Sequence, residues 1–362
     1  MDVSEARAGL AARGPAGACT DGERRSGAWA REQLRRSGHT ARLECEWVRP
    51  GWPSVFASHG VLAVVGSVLS ATGAELVGMV LVALAAISLL GELSGRARLL
   101  RQLLPARATQ NLVAPSAEGS DRPRLVVYAN LDAPRARSTW FPPALLWGAI
   151  VLLVLLAGLR LDGESSGAVA IAQFAASVLV LVGVASLIEL AVAEPGDASP
   201  AAATALALFA ELRSARLREL DVELVLGGAG DGQGLGLARY IAARGDWPHE
   251  SVVLLSIEHD VGPRTVGWLV RDGQLLPLRL HPRLCLLMAH AAAGEAGLDA
   301  RGRRAWGCSG AYVARRAGWP AIAVEGAGAA AVLELCMAWV GLLDVEFAQA
   351  GAGSSGELAL RS

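Results

Sequence analysis

Four long aliphatic stretches, set out as two hairpins, constrain this chain more than anything else in it. Val55 to Ser70 is apolar apart from its serines and His59, and Leu76 to Leu90 is almost purely aliphatic, with only ATGAE between them. Trp140 to Leu161 and Ala168 to Ala193 form a second pair around the polar turn DGESSG. A helix needs roughly 20 apolar residues to cross a bilayer, and with its flanks each stretch reaches that length. Charge falls only near the ends, at Arg160 and Glu189, and Trp52, Trp140 and Trp147 sit where an interfacial aromatic belt belongs. His59 is expected to face the headgroups. The mean hydropathy of +0.39 agrees with four spans, placed within residues 53–93 and 139–193. The spans lack charge at mid-membrane and lack broken-helix signals, so they read as anchors and not as a transporter.

Two hairpins return the chain to the same side each time, so residues 1–52, 94–138 and 194–362 share one compartment. Nine arginines lie in the first of these segments and eight in the second, whereas the turns between spans have only Arg160 beside them. The positive-inside rule then places the shared compartment in the cytoplasm. Residues 1–52 read as a polar, Arg-rich tail, disordered or lying on the membrane surface, and no cleaved signal peptide is expected. All 33 basic residues are arginine and the net charge is −1, which gives no reason to expect nucleic acid as a partner. The five cysteines are scattered and lack CxxC spacing, against both a disulfide framework and a cysteine zinc site.

What remains is a soluble part split by the second hairpin into 94–138 and 194–362. Arg124 to Pro134, RLVVYANLDAP, opens with an apolar run that suits a strand buried on both faces of a parallel sheet, followed by a polar end at Asn130 and Asp132. Gln110 to Ala114, Asp221 to Leu226 and Ser251 to Ile257 read as further strands, and Val266 to Leu280 as a hairpin around Asp272-Gly273. Helical runs alternate with them: Ala201 to Glu219 behind a cap at Asp197 or Ser199, Leu237 to Arg244, Arg283 to Ala292, and Ala329 to Leu343. That alternation predicts an α/β fold with a mainly parallel sheet sandwiched by helices.

Polar residues gather at strand ends and one helix start: Asn130 and Asp132, Asp231, Glu258 to Asp260, and Asp197. Acidic groups at the carboxyl edge of a sheet are what a divalent-metal site needs, and they are also ordinary loop polarity. The glycine-rich GGAGDGQGLG between a strand and a helix raises nucleotide binding as a rival, but strict GxGxxG spacing does not occur in it.

The order of segments resembles the M-28 family of co-catalytic zinc aminopeptidases. That family reads N-V-I-A, A-H-x-D, D-N-A-S-G, E-E-x-G-L-L-G-S-x-x-Y, N-L-D-x-x-G and S-D-H-x-x-F-x-x-x-G-I-P-A, then H-T-x-x-D-T. Here NLVA (Asn111 to Ala114), ANLD (Ala129 to Asp132), DASP from Asp197, GGAGDGQGLGLARY, SIEHDVG and Ser309 to Ala321 follow in that order. The resemblance implies metal-ligand positions at Asn130, Asp197, Asp231 and Glu258 (Asp260 being the other choice for the last), with Asp132 behind Asn130 as its support. It also implies zinc and a general base.

The departures from the family pattern decide the functional reading. The first metal histidine is Asn130, the base is Gly230, and no histidine follows His290. Zinc favours imidazole among its ligands, whereas an all-oxygen set suits Mg or Ca better. The expectation is therefore a membrane-anchored, peptidase-like pseudoenzyme without a resident cofactor that binds a peptide or protein partner. The alternative is an active metal-dependent aminopeptidase with atypical oxygen ligands.

Overall fold

A computed structural model of the chain describes residues 2–116, 122–133, 135, 140–164, 166–196, 199–215, 217–231, 233–258, 265–295, 297–326 and 328–352. Its centre is β3 (Arg124–Asn130), which runs parallel to β4 (Asp221–Gly227) on one side and to β5 (Val252–Glu258) on the other. Leu125 to Ala129 are fully buried because both faces of this strand are covered. The side chains alternate accordingly: Leu125, Val127 and Ala129 enter one hydrophobic layer, Val126 and Tyr128 the other.

The parallel block continues from β5 to β9 (Ala321–Glu325). Beyond β9 lies β6 (Gly267–Asp272), antiparallel to it. β6 pairs in turn with the short β7 (Leu278–Arg279) and with β8 (Arg301–Arg304). On the opposite edge, β2 (Arg107–Ala114) joins β4 antiparallel. One face of the sheet carries α7 (Pro200–Ser214), α9 (Pro282–Gly294) and α11 (Ala329–Ala352). The other carries α8 (Leu235–Ala242) and α10 (Gly310–Arg316). The α/β sandwich that the alternation predicts is there, but the sheet is mixed where a mainly parallel one was expected. Among the described strands four pairings are parallel and four antiparallel, the latter lying at the two edges.

Residues 1–52 depart from expectation. They are not a separate disordered tail: α2 (Asp21–Arg36) packs on the edge of the sheet, α1 (Val3–Ala11) packs on α7, and β1 (Arg42–Val48) pairs with β2 from Arg107 to Val113. Their anchors are few and small, Ala6, Leu10, Ala30 and Leu34, so no broad apolar periodicity marks them. One local signal does exist. Thr20 caps α2 by accepting from the Glu23 N–H, in the T-x-x-E spacing of a helix start.

Four helices are long and apolar enough to cross a membrane: α3 (Trp52–Ala71), α4 (Glu75–Ser94), α5 (Pro143–Leu161) and α6 (Gly167–Val192). They bury a common core of their own. His59 is wholly buried in that core and not turned to the headgroups. Its Nδ1 lies 2.7 Å from the Val55 carbonyl and its Nε2 lies 2.8 Å from the Ser88 hydroxyl of α4, so the ring is a tie between α3 and α4.

Candidate functional site

The carboxyl ends of the parallel strands converge on a cavity of about 270 Å³, walled among others by Asn130, Asp132, Asp231, Glu258, Asp272 and Glu325. Chain order explains the meeting. Asn130 and Asp132 end β3, Asp231 sits in the loop after β4, and Glu258 and Glu325 end β5 and β9. Asp272 ends the antiparallel β6 that completes the wall. Ligands collect at this edge of open α/β sheets, where loops are free to vary.

The glycine-rich loop after β4 is held by the protein's own acids. Glu23, from α2, accepts the Ala229 N–H at 2.9 Å, the Cys19 N–H at 3.0 Å and the Thr109 hydroxyl at 2.7 Å. Asp132 accepts the next two amides, Gly230 at 2.7 Å and Asp231 at 2.8 Å, and Asn111 accepts the Gly228 amide at 3.2 Å. Those four consecutive N–H groups are the ones a phosphate-binding loop would offer to its ligand. Their engagement removes the basis for nucleotide binding here. It also lets Ala229 hold a left-handed backbone conformation, φ +49°, which a residue with a Cβ adopts only when its surroundings impose it.

The far wall is built the same way. Asp272, fully buried, accepts the amides of Gly273 at 2.8 Å, Gly307 at 3.0 Å and Ser309 at 2.7 Å. The Oε1 of Glu258 accepts the Ser256 hydroxyl at 2.5 Å and the Gly310 amide, at the start of α10, at 2.8 Å. Asp231 pairs with Arg135 at 2.7 Å, and Arg303 stands 3.6 Å from Glu325.

Burial sets the protonation of these groups. It pushes Asp132 up to about 8, helped by the neighbouring carboxyls of Glu23 and Asp231. It pushes Glu258 up to about 7, with Asp272 and Glu325 acting in the same direction, and raises Glu23 as well. The thiol of Cys308 on the cavity wall is driven to about 12 by burial, so it stays protonated and is no nucleophile.

Asn130 and Gly230 turn out to share one space. The Tyr128 hydroxyl donates to the Asn130 side-chain oxygen at 2.5 Å, and the Ser199 hydroxyl donates to its backbone carbonyl at 2.6 Å. A Cβ built on Gly230 would lie 2.1 Å from the Asn130 Oδ1 and 2.9 Å from the Asn130 Cβ. The second distance holds for any residue with a Cβ at position 130. Side chains at 130 and 230 together would therefore force the backbone at one of these positions to shift.

Of the residues expected to hold a metal, the structure gathers Asn130, Asp231 and Glu258 around the cavity; Asp132, expected to support Asn130, lines the cavity beside them and instead accepts from the Gly230 and Asp231 amides. Asp197 lies outside the described residues, as do His259 and Asp260. Among the described residues no group of three or more His, Cys, Asp or Glu side chains is placed to hold a metal ion. The described donors do not by themselves fit zinc: an amide stands at position 130, Asp231 is tied to an arginine, and the Oε1 of Glu258 is committed to a hydroxyl and an amide. Five residues of the site escaped sequence reading, among them Arg303 in β8 and Glu325 at the end of β9. Glu23 came from the supposed tail, Arg135 from a short linker, and Asp272 from a hairpin turn.

No protein-family model matches the sequence, and no curated protein matches it. Solved structures with a similar fold include the glutaminyl cyclase of Fimbriiglobus ruber, at 14% identity and TM-score 0.49 over 95% of each chain. They also include BSAP, a zinc aminopeptidase of Bacillus subtilis, at 12% and 0.48 over 94% of this chain and 95% of that one. The glutaminyl cyclase of Tannerella forsythia is similar at 10% and 0.47, over 95% of this chain and 98% of that one.

Proposed function

We propose that this chain is a membrane-anchored, peptidase-like protein that binds a peptide or protein partner through the acidic cavity and does not hydrolyse it. The observation that carries this reading is the single space shared by positions 130 and 230. The M-28 pattern places a metal histidine and the general base at those two positions, and here both could be present only if the backbone shifted. The other half of the reading rests on charge. Of the five carboxyl side chains that line the cavity, Asp231 and Glu325 are answered by Arg135 and Arg303, and Asp132 and Glu258 are pushed toward protonation. A small negative excess remains at Asp272, so a cationic group such as a free peptide amino terminus suits the cavity better than an anion does.

The four apolar helices anchor the domain in a bilayer. The arginines of 1–52 and 94–138 favour the cytoplasmic face.

The test uses the full chain in detergent, with fluorogenic aminoacyl substrates and with a labelled peptide. Neither the wild type nor Asn130→His/Gly230→Glu should turn over substrate. The peptide with a free amino terminus should bind at least about tenfold (1.4 kcal/mol) tighter than its acetylated form. Turnover by either protein, or equal binding of both peptides, rejects the reading. The alternative, an aminopeptidase with oxygen ligands, draws on Glu258, a half-buried carboxyl raised to about 7 whose Oε1 takes the Ser256 and Gly310 hydrogen bonds, leaving Oε2 as the candidate ligand atom. Metal-dependent turnover abolished by Glu258→Gln is its signature.

A further inference from the structure

A second and larger cavity, about 400 Å³, lies where the anchoring helices meet the α/β domain. One wall comes from the start of α3, through Gly51 and Ser54, and from the end of α6, through Ala191. The other carries two arginines, Arg107 at the start of β2 and Arg135 after β3. Leu104 and Pro50 supply apolar surface between them.

This cavity sits at the level of the membrane surface, given the spanning reading proposed above. Arg135 donates to the carbonyls of Leu190 at 2.7 Å and Ala191 at 3.0 Å, at the last turn of α6, so the arginine is fixed to the helix end. Exposed apolar side chains mark the same level: Leu103 just after α4 is 81% exposed, and Trp140 just before α5 is 63% exposed. The charge of the cavity is opposite to that of the acidic site. Two guanidinium groups face one carboxylate, Asp231, and α3 begins at Gly51 with no side chain accepting from its first N–H groups. Asp231 lines both cavities and holds Arg135 at 2.7 Å, so an anion entering here must share that arginine with it.

We propose that this cavity binds the phosphate of a glycerophospholipid headgroup from the leaflet facing the domain, with Arg107 and Arg135 as its cations. The acyl chains would leave past Leu104 toward the helices. The proposal rests on the membrane reading, and the experiment keeps the two apart. Alkaline carbonate extraction of membranes carrying the full chain tests spanning alone. Native mass spectrometry of the detergent-released protein, incubated with dioleoyl phosphatidylglycerol or with dioleoylglycerol, tests the site.

One phosphatidylglycerol per chain should be retained, and dioleoylglycerol should not. Retention should fall at least about tenfold in Arg107→Gln/Arg135→Gln and rise in Asp231→Asn, which frees Arg135 from its competitor. The opposite signs separate a lost site from a damaged fold. Inorganic phosphate at millimolar concentration should leave the lipid bound; displacement by it would make free phosphate the ligand and overturn the lipid assignment. Equal retention by the arginine variant, or of the phosphate-free lipid, overturns the site itself. A chain that stays in the membrane but holds no lipid leaves the anchor standing and removes the site. A chain released by carbonate removes the anchor.

Discussion

Replacing Arg101 should loosen the glycine-rich loop of the site from the four apolar helices. Arg101 lies in the single helical turn after α4, and its side chain is 3% exposed. Its Nε and Nη2 donate to the same oxygen of Glu92, at 3.0 and 2.9 Å. Nη1 donates to the Arg49 carbonyl at 3.0 Å, and Nη2 reaches the Gln233 side-chain oxygen, within the loop after β4, at 2.5 Å. One guanidinium therefore ties the end of α4, the approach to α3 and the loop beside Asp231. Arg101→Met leaves the fully buried Glu92 carboxylate without its counter-ion and takes the donor from two further acceptors.

Breaking a buried pair from one side costs about 3–5 kcal/mol, because the remaining charge is stranded. At about 2–4 °C per kcal/mol, the conversion for domains of about 150–250 residues, thermal unfolding in detergent should fall by ~6–20 °C. Arg101→Met/Glu92→Leu removes both charges and should recover most of the loss, since an apolar replacement of a buried pair is often neutral. Limited proteolysis should also cut the single variant faster within residues 228–234. A single variant as stable as the wild type, or a double variant no better than the single, would refute the stranded-charge argument.

Three further outcomes follow from the site. Gly230→Ala should destabilise the domain by about 1–3 kcal/mol through overpacking, and Asn130→Gly in the same chain should relieve it; unfolding midpoints of the two singles and the double check this, and simple additivity contradicts it. Glu23→Ala should cost about 2–4 kcal/mol, since it leaves the buried Cys19 and Ala229 amides and the Thr109 hydroxyl without an acceptor; an unchanged midpoint refutes the role given to α2. Glu258 is raised to about 7 in the fold, against 4.5 when free, so the folded domain keeps a proton that the unfolded chain has released between those values. Its contribution to stability is therefore present below about pH 4.5 and fades as pH rises through 7, and Glu258→Gln should flatten that part of the stability profile. An identical profile in the variant rejects the assignment.

The sheet was legible because its central strands are buried on both faces and read as unbroken apolar runs, as Leu125 to Ala129 and Val252 to Leu255 do. The four apolar helices were legible by length alone. Residues 1–52 were not, because two short helices and an edge strand lean on a core that other segments build, and Glu23 looked like any charged residue of a polar helix. Asn130, Asp132, Asp231 and Glu258 were found from the polar ends of strands. What they do was not readable, because the partners of Asp132 and Glu258 are backbone amides of distant loops. The contest between Asn130 and Gly230 depends on a backbone approach of two strands' ends, and residue types alone carry no distance. His59 was misplaced for a similar reason: its partner Ser88 lies on the adjoining helix, 29 residues away.

The most direct test of the non-hydrolytic account is metal content by mass spectrometry on the full chain purified in detergent, with zinc in the growth medium and Asp197→Ala alongside. Zinc well below one per chain, equal in the two proteins, is the expected result. Near-stoichiometric zinc in the wild type, lost in Asp197→Ala, would contradict the account and return the cavity to catalysis.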